Sequence, residues 1–178
     1  MDVLEIDKLN FEVFISHKDI TKKVNDISIA LNASFKEDMP ICLIVLNGAV
    51  VFAAELLKKL HPLIEFSLIK VKSYDGVSST GKISLEYFPF NLIKNRRVLL
   101  IEDIVDSGLT LDFLRKELLS CGAKSVECVT LLFKSTKYLY SKEPEYVGFS
   151  IGEEFVVGYG MDLNEKGRSL MDIYKNTN

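Results

Sequence analysis

Residues 98–110, VLLIEDIVDSGLT, set three carboxylates, Glu102, Asp103 and Asp106, between an apolar run and a small hydroxyl-bearing turn, Ser107-Gly108-Leu109-Thr110. The order reads as a buried strand that turns into the start of a helix. Free backbone N–H groups at such a start, two hydroxyls and the positive end of the helix dipole together suit a phosphate group. The lysine of a triphosphate-binding loop is missing. Three carboxylates beside that cradle would repel a bare polyphosphate, so they call for vicinal hydroxyls of a sugar, a divalent cation, or a proton to accept. A sugar phosphate with Mg²⁺ meets all three demands. An acidic loop that merely caps a helix would not explain why a buried strand leads into it.

The surrounding elements must hold that segment at a sheet edge. Ser16, with Asp19 three residues on, marks a helix N-cap, and Ile20, Val24, Ile27 and Leu31 give a helix over residues 17–35 its apolar stripe. Residues 11–15 alternate weakly as a short strand before it. Six apolar residues in a row, Ile41 to Leu46, predict a strand buried on both faces, followed by a helix that Pro62 stops. Further strands are expected at 64–71, 82–88, 98–101 and 126–133, with a helix at 109–120 and Gly122 as its C-cap. Alternating strands and helices specify an α/β domain with a mostly parallel sheet, and ligands lie beyond the carboxyl ends of such strands. The glycine-punctuated tail after Pro144 predicts a cover over the site rather than a part of the sheet.

Composition narrows the function class. The chain has 178 residues, 48% of them hydrophobic, which is enough for one core, and a net charge of −3 without a basic block, so nucleic acid is a poor partner. No apolar stretch approaches the ~20 residues of a membrane span, and the acidic N-terminus lacks a signal-peptide pattern. A cytoplasmic protein without membrane contact is expected. Cys42, Cys121 and Cys128 lack metal-ligand spacing and read as reduced thiols. His17 and His61 stand at helix ends away from every motif, and neither is given a catalytic role.

Residues 98–110 resemble the phosphoribosyl-pyrophosphate signature of the type I phosphoribosyltransferases: two acidic residues, two aliphatics, then Asp-Ser-Gly-x-Thr. Three more pieces, in order, make the chain similar to the hypoxanthine-guanine phosphoribosyltransferases over residues 10–174. They are Leu46-Asn47-Gly48-Ala49, Lys72-Ser73-Tyr74 with Ser79-Thr80-Gly81, and Phe155-Val156-Val157-Gly158-Tyr159-Gly160-Met161-Asp162 with Arg168. The resemblance implies one phosphoribosyltransferase domain over 1–178, a mostly parallel sheet flanked by helices, and a small hood from the terminal segments to which about 145–178 contribute. It also implies transfer of 5-phosphoribosyl from phosphoribosyl pyrophosphate to a 6-oxopurine, with inversion at the anomeric carbon and release of pyrophosphate. IMP, and GMP from guanine, would be the products.

Residue by residue, the resemblance assigns Glu102 and Asp103 to the ribose hydroxyls and Mg²⁺, and Asp106 to the general base at purine N7. Asp106, Ser107, Gly108, Leu109 and Thr110 would hold the 5-phosphate. Asn47 and Gly48, at an often cis peptide, would face pyrophosphate together with Ser73, Tyr74 and Arg168, and residues 73–81 would form a mobile lid. Many relatives carry Lys-Gly-Gly where this chain has Asn47-Gly48-Ala49, so a lysine charge is missing there. Lys134 would donate to the purine O6, which selects against adenine; Lys137 is the competing register. Phe155 would stack on the base, Val156 would read its edge, and Asp162 would serve the base and a second Mg²⁺. A homodimer or homotetramer is the usual assembly of such proteins. The rival readings are an enzyme for another base, such as xanthine, and a phosphoribosyl-pyrophosphate sensor of the same fold, which ought to show a basic face.

Overall fold

The computed structural model describes residues 4–35, 38–74, 82–88 and 90–177. In chain order the elements are β1 (Leu4–Ile6), β2 (Leu9–Ile15), α1 (His17–Ser34), β3 (Ile41–Leu46), α2 (Val50–Leu57), β4 (Glu65–Tyr74), β5 (Lys82–Tyr87) and α3 (Phe90–Ile93). They continue with β6 (Arg97–Val105), α4 (Leu109–Ser120), β7 (Ser125–Phe133), β8 (Tyr146–Ser150), β9 (Val156–Val157) and β10 (Ile173–Asn176). The Ser16 hydroxyl accepts the Asp19 N–H at 3.2 Å and caps α1, whose buried stripe runs through Ile20, Val24, Ile27 and Leu31. Among the described residues no helix is long and apolar enough to cross a membrane.

Six strands form the main sheet in the order β5-β4-β3-β6-β7-β8, parallel except for the β4–β5 pair. Its central strand β3 is buried on both faces from Ile41 to Val45, each side chain no more than 5% exposed. Burial on that scale contributes roughly 1.5–3 kcal/mol per large aliphatic side chain. The Val24, Leu31, Phe52 and Leu56 side chains of α1 and α2 pack on one face, and Ile93, Leu111, Leu114 and Leu118 of α3 and α4 on the other. Between β3 and β6 the chain reverses its direction of travel across the sheet. β3 leads outward to β4, and β6 leads the other way to β7. Such a switch point opens a crevice at the carboxyl ends of the strands.

Three expectations need correction. The tail after Pro144 is not only a cover: β8 joins the main sheet beside β7, because Val147 packs on one core cluster while Tyr146 and Phe149 pack on the other. Five residues of which only Gly148 is fully buried are too short a signal to stand out in a glycine-rich tail. The strand expected at 98–101 continues to Val105, paired with β7 through Val105↔Phe133, so Glu102 and Asp103 lie on the strand rather than past its end. Cross-strand pairing carries polar residues that a hydrophobic run does not predict. His17 is not remote from the motifs: its ring centroid is 6.4 Å from that of Tyr159, and its backbone N–H donates to Asp172 Oδ1 at 2.6 Å. A second sheet, β1-β2-β10-β9, is built from the two ends of the chain. The lid segment read at 73–81 falls largely outside the described residues; Ser73 and Tyr74 end β4, and 75–81 are not described.

Arg115 on α4 is buried and fastens the segment after β7 to the helix. Its guanidinium donates to the carbonyl of Lys142, to that of Glu143 at 3.0 Å, and to Glu145 Oε2 at 2.7 Å. The same carboxylate oxygen accepts the Cys128 N–H of β7 at 2.7 Å. Removing Arg115 takes the guanidinium from two carbonyls and from Glu145, which keeps the Lys142 ammonium at 3.0 Å in a partly exposed setting, a loss of the order of 1–3 kcal/mol. Urea unfolding of Arg115→Ala is expected to show it, and Arg115→Lys to recover only part, since one ammonium cannot span three acceptors. A change below about 1 kcal/mol for Arg115→Ala would show that the clasp carries no weight.

Candidate active site

Most residues singled out in the sequence converge because they follow the carboxyl ends of neighbouring parallel strands: Asn47 after β3, the 106–110 turn after β6, Lys134 after β7, and the 151–162 segment after β8, while Glu102 and Asp103 lie near the end of β6 itself. Successive strand residues point to opposite faces. Glu102 therefore shares the α4 side with Val98 and Leu100, and Asp103 the α2 side with Leu99 and Ile101. Glu102 is 5% exposed; burial first, then the adjacent Asp103 charge, drives its carboxyl well above the ordinary range. Burial likewise pushes Asp103 up to about 6, against the pull of its own and Ile104's N–H groups and of the Arg168 charge.

Asp103 sits against the β3–α2 turn at the switch point. A Cβ placed on Gly48 would come within 1.9 Å of Asp103 Oδ2, and one on Gly160, where φ is +104°, within 2.0 Å of the Gly48 carbonyl oxygen. Only residues without a side chain allow this stack of carboxylate, turn and tail segment. The Leu46–Asn47 peptide is cis, the geometry implied by the resemblance.

The turn after β6 forms a shallow concavity of about 110 Å³ lined by Glu102 and by residues 104–111. Gly108, with φ at +84°, is the N-cap of α4 and gives it no side-chain cap, so the first amides of the helix stay available to a ligand. The Leu109 N–H has only a long contact of 3.4 Å to the Ser107 hydroxyl. Tyr138 closes one wall: a Cβ on Gly108 would meet its ring at 2.3 Å, and the Leu139 N–H holds the Ser107 carbonyl at 3.1 Å. Thr110 lies on the first turn of α4 and lines the same concavity.

A second cavity of about 200 Å³ shares Ile104 and Asp106 with the first and is lined further by Asp103, Lys134, Phe155, Val156, Met161 and Asp162. Lys134, 5% exposed, holds its ammonium 2.9 Å from Asp106 Oδ2. Phe155 is 46% exposed and tilted against Phe11 at 6.3 Å between centroids, while Val156 on β9 is buried. A larger cavity of about 480 Å³, lined by Phe35, Met39, Leu60 and His61 among others, precedes β3 and β4 at the amino end of the sheet, the wrong end for a ligand in this fold.

Asp162 and Arg168 stand at the rim and are tied to each other. Arg168 Nη2 is 2.8 Å from Asp162 Oδ1 and donates to Glu165 Oε2 at 2.9 Å, while Nη1 donates to the Gly160 carbonyl at 2.9 Å. Asp162 Oδ2 accepts the Glu165 N–H at 2.8 Å. Among the described residues no cluster of three or more His, Cys, Asp or Glu side chains could hold a metal unaided. Ile104, Met161 and Tyr138 were not signalled by the sequence as lining residues, being ordinary apolar and aromatic side chains in their runs. Gly160 carried a signal in the paired glycines around Tyr159.

Comparison with known proteins bears on this geometry. The family described as "Phosphoribosyl transferase domain" matches residues 14–164. The chain is 36% identical over 160 residues to the hypoxanthine-guanine phosphoribosyltransferase of Bacillus subtilis (strain 168), covering 89% of each chain. It is 37% identical over 166 residues to that of Lactococcus lactis, covering 93% of this chain and 90% of the relative. A crystal structure of a hypoxanthine phosphoribosyltransferase from Staphylococcus aureus superposes with a TM-score of 0.87 at 33% identity, covering 93% and 91% of the two chains. The phosphate-sized turn, the carboxylates at the switch point and this agreement along the whole chain lead to one conclusion: the chain belongs to the phosphoribosyltransferase family and, within it, to the hypoxanthine-guanine phosphoribosyltransferases.

Proposed function

We propose that this protein is a purine-salvage enzyme that transfers the 5-phosphoribosyl group of phosphoribosyl pyrophosphate to hypoxanthine, and also to guanine. The observation that carries the reading is the Lys134–Asp106 pair at 2.9 Å inside the cavity bordered by Phe155 and Val156. A 6-oxopurine presents O6, an acceptor, next to N7, which carries the proton to be lost. An ammonium beside a carboxylate complements that edge, whereas the 6-amino group of adenine would face the ammonium donor to donor.

In the reaction the bond from anomeric C1′ to the pyrophosphate oxygen breaks, the electron pair leaves with pyrophosphate, and purine N9 forms the new bond to C1′. Asp106 accepts the N7 proton as charge moves from the purine to the ribose. The first amides of α4, with the Ser107 and Thr110 hydroxyls, hold the 5-phosphate, and so fix C1′ between the two cavities. Glu102 and Asp103 accept hydrogen bonds from the ribose hydroxyls and place negative charge beside the developing ribosyl cation. Arg168 exchanges Glu165, whose side chain is 76% exposed, for a pyrophosphate oxygen at little cost. Asn47 and Gly48 offer backbone donors to the same group, and the 145–178 segment acts as a hood over the base.

Mg²⁺ fits these residues. Glu102 and Asp103 are desolvated carboxylates with raised pKa values, and the lack of a complete protein ligand set matches a cation that keeps water and substrate oxygens in its shell. Glu102 and Asp103 would hold it together with the ribose hydroxyls, and Asp162 would serve a second ion; when bound it would neutralise the departing pyrophosphate. Three free cysteines suit a reducing, cytoplasmic setting.

Incubating the purified chain with hypoxanthine, phosphoribosyl pyrophosphate and Mg²⁺ is expected to yield IMP and pyrophosphate in equal amounts, and excess chelator to stop the reaction. Absence of IMP with hypoxanthine, or an equal rate with adenine, would sink the assignment. Asp106→Asn is expected to lower kcat about 10²-fold or more while both substrates still bind. Turnover within about threefold of the wild type would remove Asp106 from the base role. Gly48→Ala pushes a methyl group into Asp103 and is expected to cut kcat/KM for phosphoribosyl pyrophosphate about tenfold or more, with the thermal unfolding midpoint nearly unchanged. Unaltered kinetics would mean that the stack at the switch point does not set the position of the carboxylate.

A further inference from the structure

The tail segment that carries Arg168 is shaped by a tight two-residue turn. Leu163 and Lys166 exchange both backbone hydrogen bonds at 3.0 Å, and Asn164 and Glu165 between them sit at φ of +51° and +65°. Positive φ at both central positions defines a type I′ turn, where glycine is favoured second; Glu165 holds that place instead. A side chain there is strained by roughly 1 kcal/mol. Local preference alone does not secure this turn, yet the turn aims the Glu165 N–H at Asp162 and its carboxylate at Arg168.

The missing support comes from the other end of the chain. Asp7, in the β1–β2 hairpin, accepts the Asn164 side-chain amide at 3.0 Å on one oxygen and the Lys166 ammonium on the other. One carboxylate thus grips the turn at two points. Asp7 and Lys8 themselves adopt φ of +50° and +68°, so the hairpin presents a closely matching turn. Beside the clasp the Ile6 side chain lies against Gly167, and the two segments border a cavity of about 370 Å³ lined by Leu4, Glu5, Ser169 and Leu170 among others. The Lys166 and Asn164 hydrogen bonds keep the Asp7 carboxyl below its ordinary range, and so charged wherever the enzyme would work.

We infer that Asp7 is a positioning residue for pyrophosphate: by clasping Asn164 and Lys166 it holds the 163–166 turn in the shape that orients Arg168. The inference rests on the proposed role of Arg168 and adds to it a residue from the first hairpin, far away in sequence. Because Asp7 and Lys166 are both at the surface, its loss changes the aim of the loop rather than the stability of the core.

Steady-state kinetics of the full chain test this. Asp7→Ala is expected to raise KM for phosphoribosyl pyrophosphate about fivefold, the size an exposed pair can transmit, with KM for hypoxanthine and the thermal unfolding midpoint unchanged. Asp7→Glu, and the charge swap D7K with K166D, are expected to recover most of that loss. An unchanged KM for phosphoribosyl pyrophosphate in Asp7→Ala, an equal rise in both KM values, or a parallel fall in thermal stability without rescue would each overturn the clasp. If the wild type itself makes no IMP, the functional reading fails and takes this inference with it. Normal wild-type turnover beside an unaffected Asp7→Ala removes the clasp alone.

Discussion

A carboxylate taken out of water must be compensated, and this chain takes two out at adjacent positions of one strand. Glu102 and Asp103 lie where β6 runs on past its apolar stretch, and burial raises both of their pKa values. No ion pair within the described residues neutralises either of them. Arg168 reaches Asp103 only through its field, because its donors are occupied by Asp162, Glu165 and Gly160. A fold keeps such a cost where a ligand returns it, and the ligand that does so must bring hydroxyl donors or a cation.

The rest of the site follows from where β6 lies. It is one of two strands at the switch point, so the β3–α2 turn comes down beside Asp103 and the next strand on the other side delivers Lys134 to Asp106. Gly48 and Gly160 let three segments close to distances that any side chain would block. The concavity after β6 and the larger cavity beside Lys134 share Ile104 and Asp106, so the two adjoin without any further device.

The tail and the N-terminal hairpin complete the arrangement from outside the main sheet. β10 pairs with β2 and β9, so the two ends of the chain make one small sheet, and Phe155 and Asp162, near its margin, line the crevice, with Arg168 tied to Asp162. The support of Asp162 and Arg168 is polar and near the surface, in contrast to the buried aliphatic core beneath. A precise but lightly fastened cover agrees with a site that must admit and release two substrates.

Much of this was legible in the residues. Ile41–Leu46 and Leu109–Ser120 stand at the places their hydrophobic patterns require, because a strand buried on both faces and a striped helix declare themselves locally. The glycine turn at 106–110 likewise follows its strand and opens α4 where the residue types required. The extension of β6, the entry of β8 into the sheet, the His17–Tyr159 contact and the hold of Asp7 on Asn164 and Lys166 were not legible. Each depends on partners between about 17 and 160 residues away, and neither periodicity nor propensity carries information over such separations. The linear order of residue types thus determined which groups are present and which elements carry them. Only the tertiary structure decided which groups share a face, how far each is drawn from water and what braces it, because burial and pairing belong to the packed chain and to no segment of it.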